Sequence, residues 1–179
     1  MTTFFPPEQV VWKLSAAWAT KHLDCTLSGI INKCHGMCCH SPTFWPPIAG
    51  KKEEDRGKPC HHLGDNGCNF NLDDRPVSCL LYPLRLNKNN TLVWHVNGLL
   101  PHGACRPCYK SGPPVFEALR DHLTTLFGKE QVDKAAKEIT RGHDAYFHPS
   151  NELIEDLRRE HWWADINKIP EARSSFHEN

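Results

Sequence analysis

Residues 60–83 read Cys60-His61-His62-Leu63-Gly64-Asp65-Asn66-Gly67-Cys68-Asn69-Phe70-Asn71-Leu72-Asp73-Asp74-Arg75-Pro76-Val77-Ser78-Cys79-Leu80-Leu81-Tyr82-Pro83. Two cysteines face each other across a turn signalled by Asp65-Asn66-Gly67, and a third follows a Pro-containing charged run. Too few apolar residues recur between 40 and 80 to stabilise regular elements by burial alone. Ordering backbone costs ~1–2 kcal/mol per residue, so something other than side-chain burial must hold the segment. A structural zinc site contributes an apparent ~10–16 kcal/mol, comparable with the ~5–15 kcal/mol net stability of a whole domain. Metal is a sufficient staple.

Working outward, the chain has 179 residues and nine cysteines. Cys25 stands apart. Cys34, Cys38, Cys39, Cys60, Cys68, Cys79, Cys105 and Cys108 all fall between 34 and 108. Nine is odd, and the N-terminal residues show no basic, apolar leader, which argues for a cytoplasmic protein with reduced thiols rather than a disulfide framework. Lys+Arg and Asp+Glu each number 21. That neutrality and the lack of a basic stripe argue against a nucleic-acid reader. No apolar run approaches the ~20 residues of a membrane helix.

Cys34-His35-Gly36-Met37-Cys38-Cys39 is the densest motif. If helical, Cys34 and Cys38 share a face while Cys39 points about 100° away; in a loop, Gly36 lets the backbone wrap a metal. Adjacent cysteines suit neighbouring ions or different atoms of a cluster, and the competing reading is an ordinary thiol pair or a vicinal disulfide. Cys105-Arg106-Pro107-Cys108 is a CxxC pair, half of a zinc site or a redox couple, with no βαβ pattern around it to favour the latter. Thiolates select zinc, copper(I) or iron–sulfur centres over magnesium or calcium. Eight thiolates satisfy two four-coordinate sites, or one cluster and one zinc. His35, His40, His61, His62 and His102 lie near the cysteines and are candidate additional ligands. Arg75 either offsets thiolate charge or pairs with Asp73 or Asp74. His143 and His148 read as part of a loop between helices. No dinucleotide, P-loop, nucleophile-elbow or HExxH motif is present.

On either side of this core the periodicity is helical. Val10, Val11, Leu14, Ala17 and Trp18 share one face and predict an N-terminal helix over 7–23. Leu84–Leu86 and Thr91–Val96 predict a hairpin across Asn87–Asn90, its register left open because Leu92-Val93-Trp94 does not alternate. Val115, Phe116, Leu119, Leu123, Leu126 and Phe127 predict a helix ending at Gly128. Val132, Ala135, Ala136 and Ile139 predict a second, closing near Gly142, and a third begins about Ser150. Trp12, Trp18 and Trp45 are expected to cover the core. The tail from Pro170 reads as disordered.

The order Cys34-x3-Cys38-Cys39, Cys60-x7-Cys68, Arg75-Pro76-x2-Cys79 and Tyr82-Pro83 resembles the cysteine-cluster family of zinc- or iron-chelating domain proteins, which includes the flagellin lysine N-methylases. The likeness spans roughly 25–108. That family opens with Cys-x2-Cys-x2-Cys-Cys, which would place cysteines at 32 and 35, where this chain has Asn32 and His35; Cys34 and Cys25 are the thiols at hand. Residues and resemblance together give a single small α+β domain. An N-terminal helix occupies 1–24, an irregular metal-stapled cysteine core with a short hairpin 25–112, a C-terminal helical extension 113–169 and a tail 170–179. The function expected is coordination of zinc or iron, mononuclear or as an iron–sulfur cluster, by the eight cysteines between 34 and 108, with a protein partner met through the C-terminal helices. The alternative is a metal- or cluster-dependent enzyme of redox or group-transfer type, such as a protein lysine N-methylase.

Overall fold

The computed structural model describes residues 10–24, 33, 60, 62–65, 67–87, 89–94 and 108–159. Its centre is a strand where the periodicity predicts a helix. β1 (Trp12–Leu14) buries Trp12 and Leu14 and turns Lys13 outward, a period of two rather than 3.6. Only one helical turn follows, α1 (Ala16–Ala19), and then β2 (His22–Leu23). The predicted helix over 7–23 is therefore corrected to strand–turn–strand across the described part of that range. Ala17, expected on the buried face, is exposed, whereas Trp12, Ala16 and Ala19 are buried. The cause is tertiary. β1 is an interior strand of a four-stranded mixed sheet, between strands Thr91–Trp94 and Ala145–Phe147, with Leu84–Leu86 at the edge beyond Thr91–Trp94, and two ladders hold its backbone extended against weak helix propensity at Val10-Val11-Trp12.

Those ladders come from distant sequence. β5 (Leu84–Leu86) and β6 (Thr91–Trp94) form the predicted hairpin, with Leu84 opposite Trp94, Arg85 opposite Val93 and Leu86 opposite Leu92. The register left open in the sequence is set by burial: Leu84, Leu86, Leu92 and Trp94 point into the core, while Val93 lies half-buried on the other face beside Arg85. The Asn87 side-chain oxygen accepts from the amides of Asn89 and Thr91, each at 2.9 Å, and Asn90 takes φ 55°, which asparagine tolerates better than most residues. β6 runs parallel to β1, Leu14 beside Leu92. β8 (Ala145–Phe147) runs antiparallel to β1, Trp12 beside Phe147 and Leu14 beside Ala145. This corrects the loop expected around His143–His148: three residues in the middle are a strand, with Ala145 and Phe147 buried and Tyr146 exposed.

The helical half follows the sequence more closely. α3 (Val115–Ala118) and α4 (Arg120–Phe127) are two segments meeting at Leu119, whose φ −104° and ψ 6° interrupt the one predicted helix. Bonds from Leu119 N to Val115 O (3.0 Å) and from Leu123 N to Leu119 O (2.8 Å) carry the axis across the joint. α4 stops at Gly128, φ 78°. α5 (Lys129–Thr140) ends before Gly142, φ 79°, and α6 (Asn151–Arg159) starts where the Ser150 hydroxyl accepts the Leu153 amide at 3.1 Å, a serine cap. Trp12 meets Phe127 edge to face at 5.6 Å, and Phe127 stacks on Phe147 at 4.4 Å. The inward face of the sheet and the apolar faces of α3–α6 thus form one core, a two-layer α+β arrangement. Trp18 packs half-buried on Trp94; Trp45 and the tail lie outside the described residues. Among the described residues no helix is long and apolar enough to cross a membrane.

A two-stranded sheet pairs β2 with β7 (Tyr109–Pro114). Leu23 lies opposite Tyr109, and the ladder shifts before His22 meets Pro114. The Asp24 amide donates to the Cys108 carbonyl at 3.1 Å and Val115 N donates to Lys21 O at 2.8 Å. Gly112 has φ 73°, and a Cβ there would lie 2.7 Å from both Cα and Cβ of Asp24. Only glycine fits so close an approach. The pair sets Asp24 beside Cys108, residues that lie on either side of most of the cysteine-bearing stretch.

Candidate metal centre

Of the eight candidate ligands, Cys60, Cys68, Cys79 and Cys108 are described; Cys34, Cys38, Cys39 and Cys105, like Cys25, lie outside the described residues. Cys60 and Cys68 flank a minimal hairpin, β3 (Leu63–Gly64) and β4 (Gly67–Cys68), in which Leu63 pairs with Cys68 and Gly64 with Gly67. The Leu63 amide donates to the Cys60 carbonyl at 2.8 Å, folding Cys60 back in a turn, and Asn69 N donates to His62 O at 2.7 Å. A turn closes its ends to under about 7 Å, and a cross-strand pair is about 5 Å apart. The backbone therefore brings both thiol-bearing residues to one end of the hairpin. A Cβ on Gly64 would lie 2.7 Å from Asn69 Oδ1, so glycine leaves room for the Asn69 amide across the strands. The His62 ring stacks on Phe70 at 3.7 Å.

Both thiols are half-buried, and neither is in a disulfide. Among the described residues from 60 to 75, none is buried. A hairpin this short is not stable in water by itself. Soft sulfur donors on a glycine-containing turn suit zinc or iron.

Cys79 sits exposed on α2 (Val77–Leu81), a single helical turn in which Cys79 N and Leu80 N both donate to Pro76 O at 3.0 Å. Cys108 differs. It is 2% exposed and belongs to the apolar cluster beside β7. Among the described residues no three His, Cys, Asp or Glu side chains gather as a metal-holding group.

One half-buried polar cluster escaped the sequence. His122, half-buried on α4, lies 3.1 Å through Nδ1 from the Leu80 carbonyl and 3.2 Å through Nε2 from Arg75 Nη1. Guanidinium only donates, so Nε2 accepts and Nδ1–H donates to Leu80; the imidazole is neutral. Burial, reinforced by the Arg75 charge, pushes its pKa below the usual histidine value. Arg75 Nε also donates to the Phe70 carbonyl at 3.4 Å. Arg75 thus bonds to Phe70 and His122, and among the described residues no ion pair joins it to Asp73 or Asp74. A signal for His122 was present: it follows Val115 by seven, follows Leu119 by three and precedes Leu126 by four, which places it on the apolar stripe of the helix. The Tyr82–Pro83 peptide that follows α2 is cis.

His143 and His148 form no site together. His143 Nδ1 lies 3.1 Å from Glu138 Oε2, a contact that heads the causes holding the Glu138 carboxyl below its usual range. The His148 backbone exchanges two bonds with the Gln131 side-chain amide, at 2.7 and 3.1 Å, which closes the end of β8.

No family model matches the chain, and neither does any curated protein or solved structure. What the molecule does must therefore be argued from its own residues.

Proposed function

We propose that this chain is a metal-binding protein that coordinates zinc or iron, the latter mononuclear or as an iron–sulfur cluster, through Cys34, Cys38, Cys39, Cys60, Cys68, Cys79, Cys105 and Cys108. One observation carries the reading. The Cys60–Cys68 hairpin and the residues up to Arg75 contain no buried side chain among those described, yet they hold an ordered turn with two half-buried thiols at its end. Hydrophobic burial does not account for that order, and thiolate–metal bonds would supply it. The cysteine segregation and the resemblance to zinc- or iron-chelating domains support the same reading. Bound there, the metal would supply cross-linking between chain segments far apart in sequence.

The test is purification without oxygen, followed by a visible spectrum and metal analysis. Broad absorption near ~400 nm with iron and sulfide identifies a cluster; a colourless protein with stoichiometric zinc identifies a closed structural site. Cys79→Ser is expected to lose metal and solubility together. A wild-type chain that is free of metal as isolated, takes none up and still protects the 60–75 backbone overturns the proposal.

A further inference from the structure

We infer that the bond between Arg75 and His122 is a proton-sensitive latch, which holds residues 70–75 against α4 at neutral pH and releases them on mild acidification. None of these residues is buried, and among the described residues their hydrogen bonds stay within the stretch with one exception. Asn71 Nδ2 donates to Asp74 Oδ2 at 3.1 Å, Asp74 N to Asn71 O at 3.2 Å, Arg75 N to Leu72 O at 3.3 Å and Arg75 Nε to Phe70 O at 3.4 Å. The exception is Arg75 Nη1, which donates to His122 Nε2 at 3.2 Å. The 3-10 turn Leu72–Asp74 lies against α4 with Leu72 only half-buried, so packing adds little. The acceptor makes the bond sensitive. A guanidinium offers only N–H groups, and the bond therefore lasts only while Nε2 keeps its lone pair. Nδ1–H is already committed to the Leu80 carbonyl at 3.1 Å, so an added proton goes to Nε2, setting N–H against N–H and cation against cation. Leu123 and Phe127 anchor α4 in the core, and the side that gives way is residues 70–75. Burial and the Arg75 charge keep the proton off the ring, against a smaller opposing influence of Asp121. The other charged groups on elements around α4 are exposed or engaged: Asp73 and Cys79 lie exposed, Asp74 accepts from Asn71, and Glu117 and Asp133 pair with Arg120. Release moves the ring toward the ordinary histidine value of about 6.5, so the open form takes up more protons and acid favours it. The latch stands apart from the proposed metal centre, since neither residue is among its cysteines.

The test follows hydrogen exchange at the Asp74 and Arg75 amides by nuclear magnetic resonance on the full-length chain. Rates from pH 7.5 to 5.5 are divided by the chemical exchange rate at each pH, which leaves the opening equilibrium. Acid should favour opening by up to about tenfold at pH 5.5, so protection of both amides falls several-fold in wild type while α5 amides keep theirs. His122→Gln retains a neutral acceptor of similar reach, and its protection at Asp74 and Arg75 should not change with pH. Arg75→Gln removes the bond at every pH and should show weak protection of residues 70–75 already at pH 7.5. The imidazole nitrogen signals of the wild type should report a neutral ring, protonated at Nδ1, at pH 7.5. An equal fall in wild type and His122→Gln places the acid response elsewhere, at the thiolates for example, and overturns the latch while leaving the metal-binding reading intact. No fall in wild type, or a ring already charged at pH 7.5, overturns it as well. Should His122→Gln not fold, Arg75→Gln decides: full protection at pH 7.5 shows that the bond fastens nothing.

Discussion

Gly112→Ala tests the close approach of β7 to Asp24. Two terms contribute. At φ 73° an L-residue is in the left-handed region, which costs about 1–2 kcal/mol. The new methyl would also lie 2.7 Å from Asp24 Cα and Cβ, roughly 1 Å inside the ordinary carbon–carbon contact of about 3.5–4.0 Å. The first obstacle is backbone, so β2 or β7 must move, and overpacking of this kind costs about 1–3 kcal/mol. The lower unfolded-state entropy of alanine returns about 0.4–1 kcal/mol. The expected net loss is about 2–4 kcal/mol. Gly142→Ala is the control: φ is 79°, and nothing lies within 4 Å of the added carbon. Only the backbone strain applies there, about 1 kcal/mol after the same offset.

Urea titrations of the three proteins give the comparison directly, through midpoint shifts at constant slope. Hydrogen exchange adds a local readout, because the Asp24 amide that donates to Cys108 should lose protection in Gly112→Ala and keep it in Gly142→Ala. If the two variants lose stability equally, within about 0.5 kcal/mol, the close approach of β7 to Asp24 is absent.

The core and the half-buried histidine give two further expectations. Trp12→Ala should cost about 3–5 kcal/mol, because Trp12 is fully buried between β6 and β8 and edge-on to Phe127; Trp12→Phe should cost clearly less, since the indole N–H it removes is buried with no hydrogen-bond partner among the described residues, and equal midpoint shifts for the two would contradict the packing. His122 has a folded-state pKa below its unfolded value of about 6.5, so the unfolded chain binds more protons in the interval between them. Its contribution to stability is complete above the unfolded value and declines as pH falls through that interval, with a slope of at most about 1.4 kcal/mol per pH unit for one group. Urea midpoints from pH 7.5 to 5 should fall less in His122→Asn than in wild type, and identical profiles would show that the imidazole is not held neutral.

How much was legible in the sequence depended on whether an element is determined locally. The helices after Val115 were, because the apolar period runs for many turns and Gly128, Gly142 and Ser150 mark its stops and starts. The interruption at Leu119 left no comparable mark. β1 was not legible. Over so few residues Val10, Val11 and Leu14 fit a helix face, while Trp12 and Leu14 fit an alternating strand equally well, and the choice is made by Leu92 and Phe147, each far along the chain. β8 failed for the same reason, with three residues and partners only across the sheet. At the candidate site the placement was not legible. Cysteine spacing names the donor type, but nothing in it shows that Cys108 packs into the apolar core or that a histidine beyond the cysteine window ties Arg75 to the residue after Cys79.

The apolar cluster also limits how much the proposed metal has to do. It draws on Trp12 and Leu23 before the cysteine-bearing stretch, on Leu84, Leu86, Leu92 and Trp94 within it, and on Phe116 through Leu157 after it. Small zinc modules unfold without metal because they lack such a cluster. Here the sheet and α3–α6 bury their own faces, so among the described residues the proposed staple is needed where burial stops, from Cys60 to Arg75. Removing metal with a chelator should therefore abolish amide protection across 60–75 and weaken it around Cys79, while protection in β1, β6 and α5 persists and a cooperative melt remains. Hydrogen exchange followed by mass spectrometry reads the two regions separately. Simultaneous loss of protection in both would mean that the core depends on the metal as fully as the hairpin does, contrary to the division of labour argued from burial.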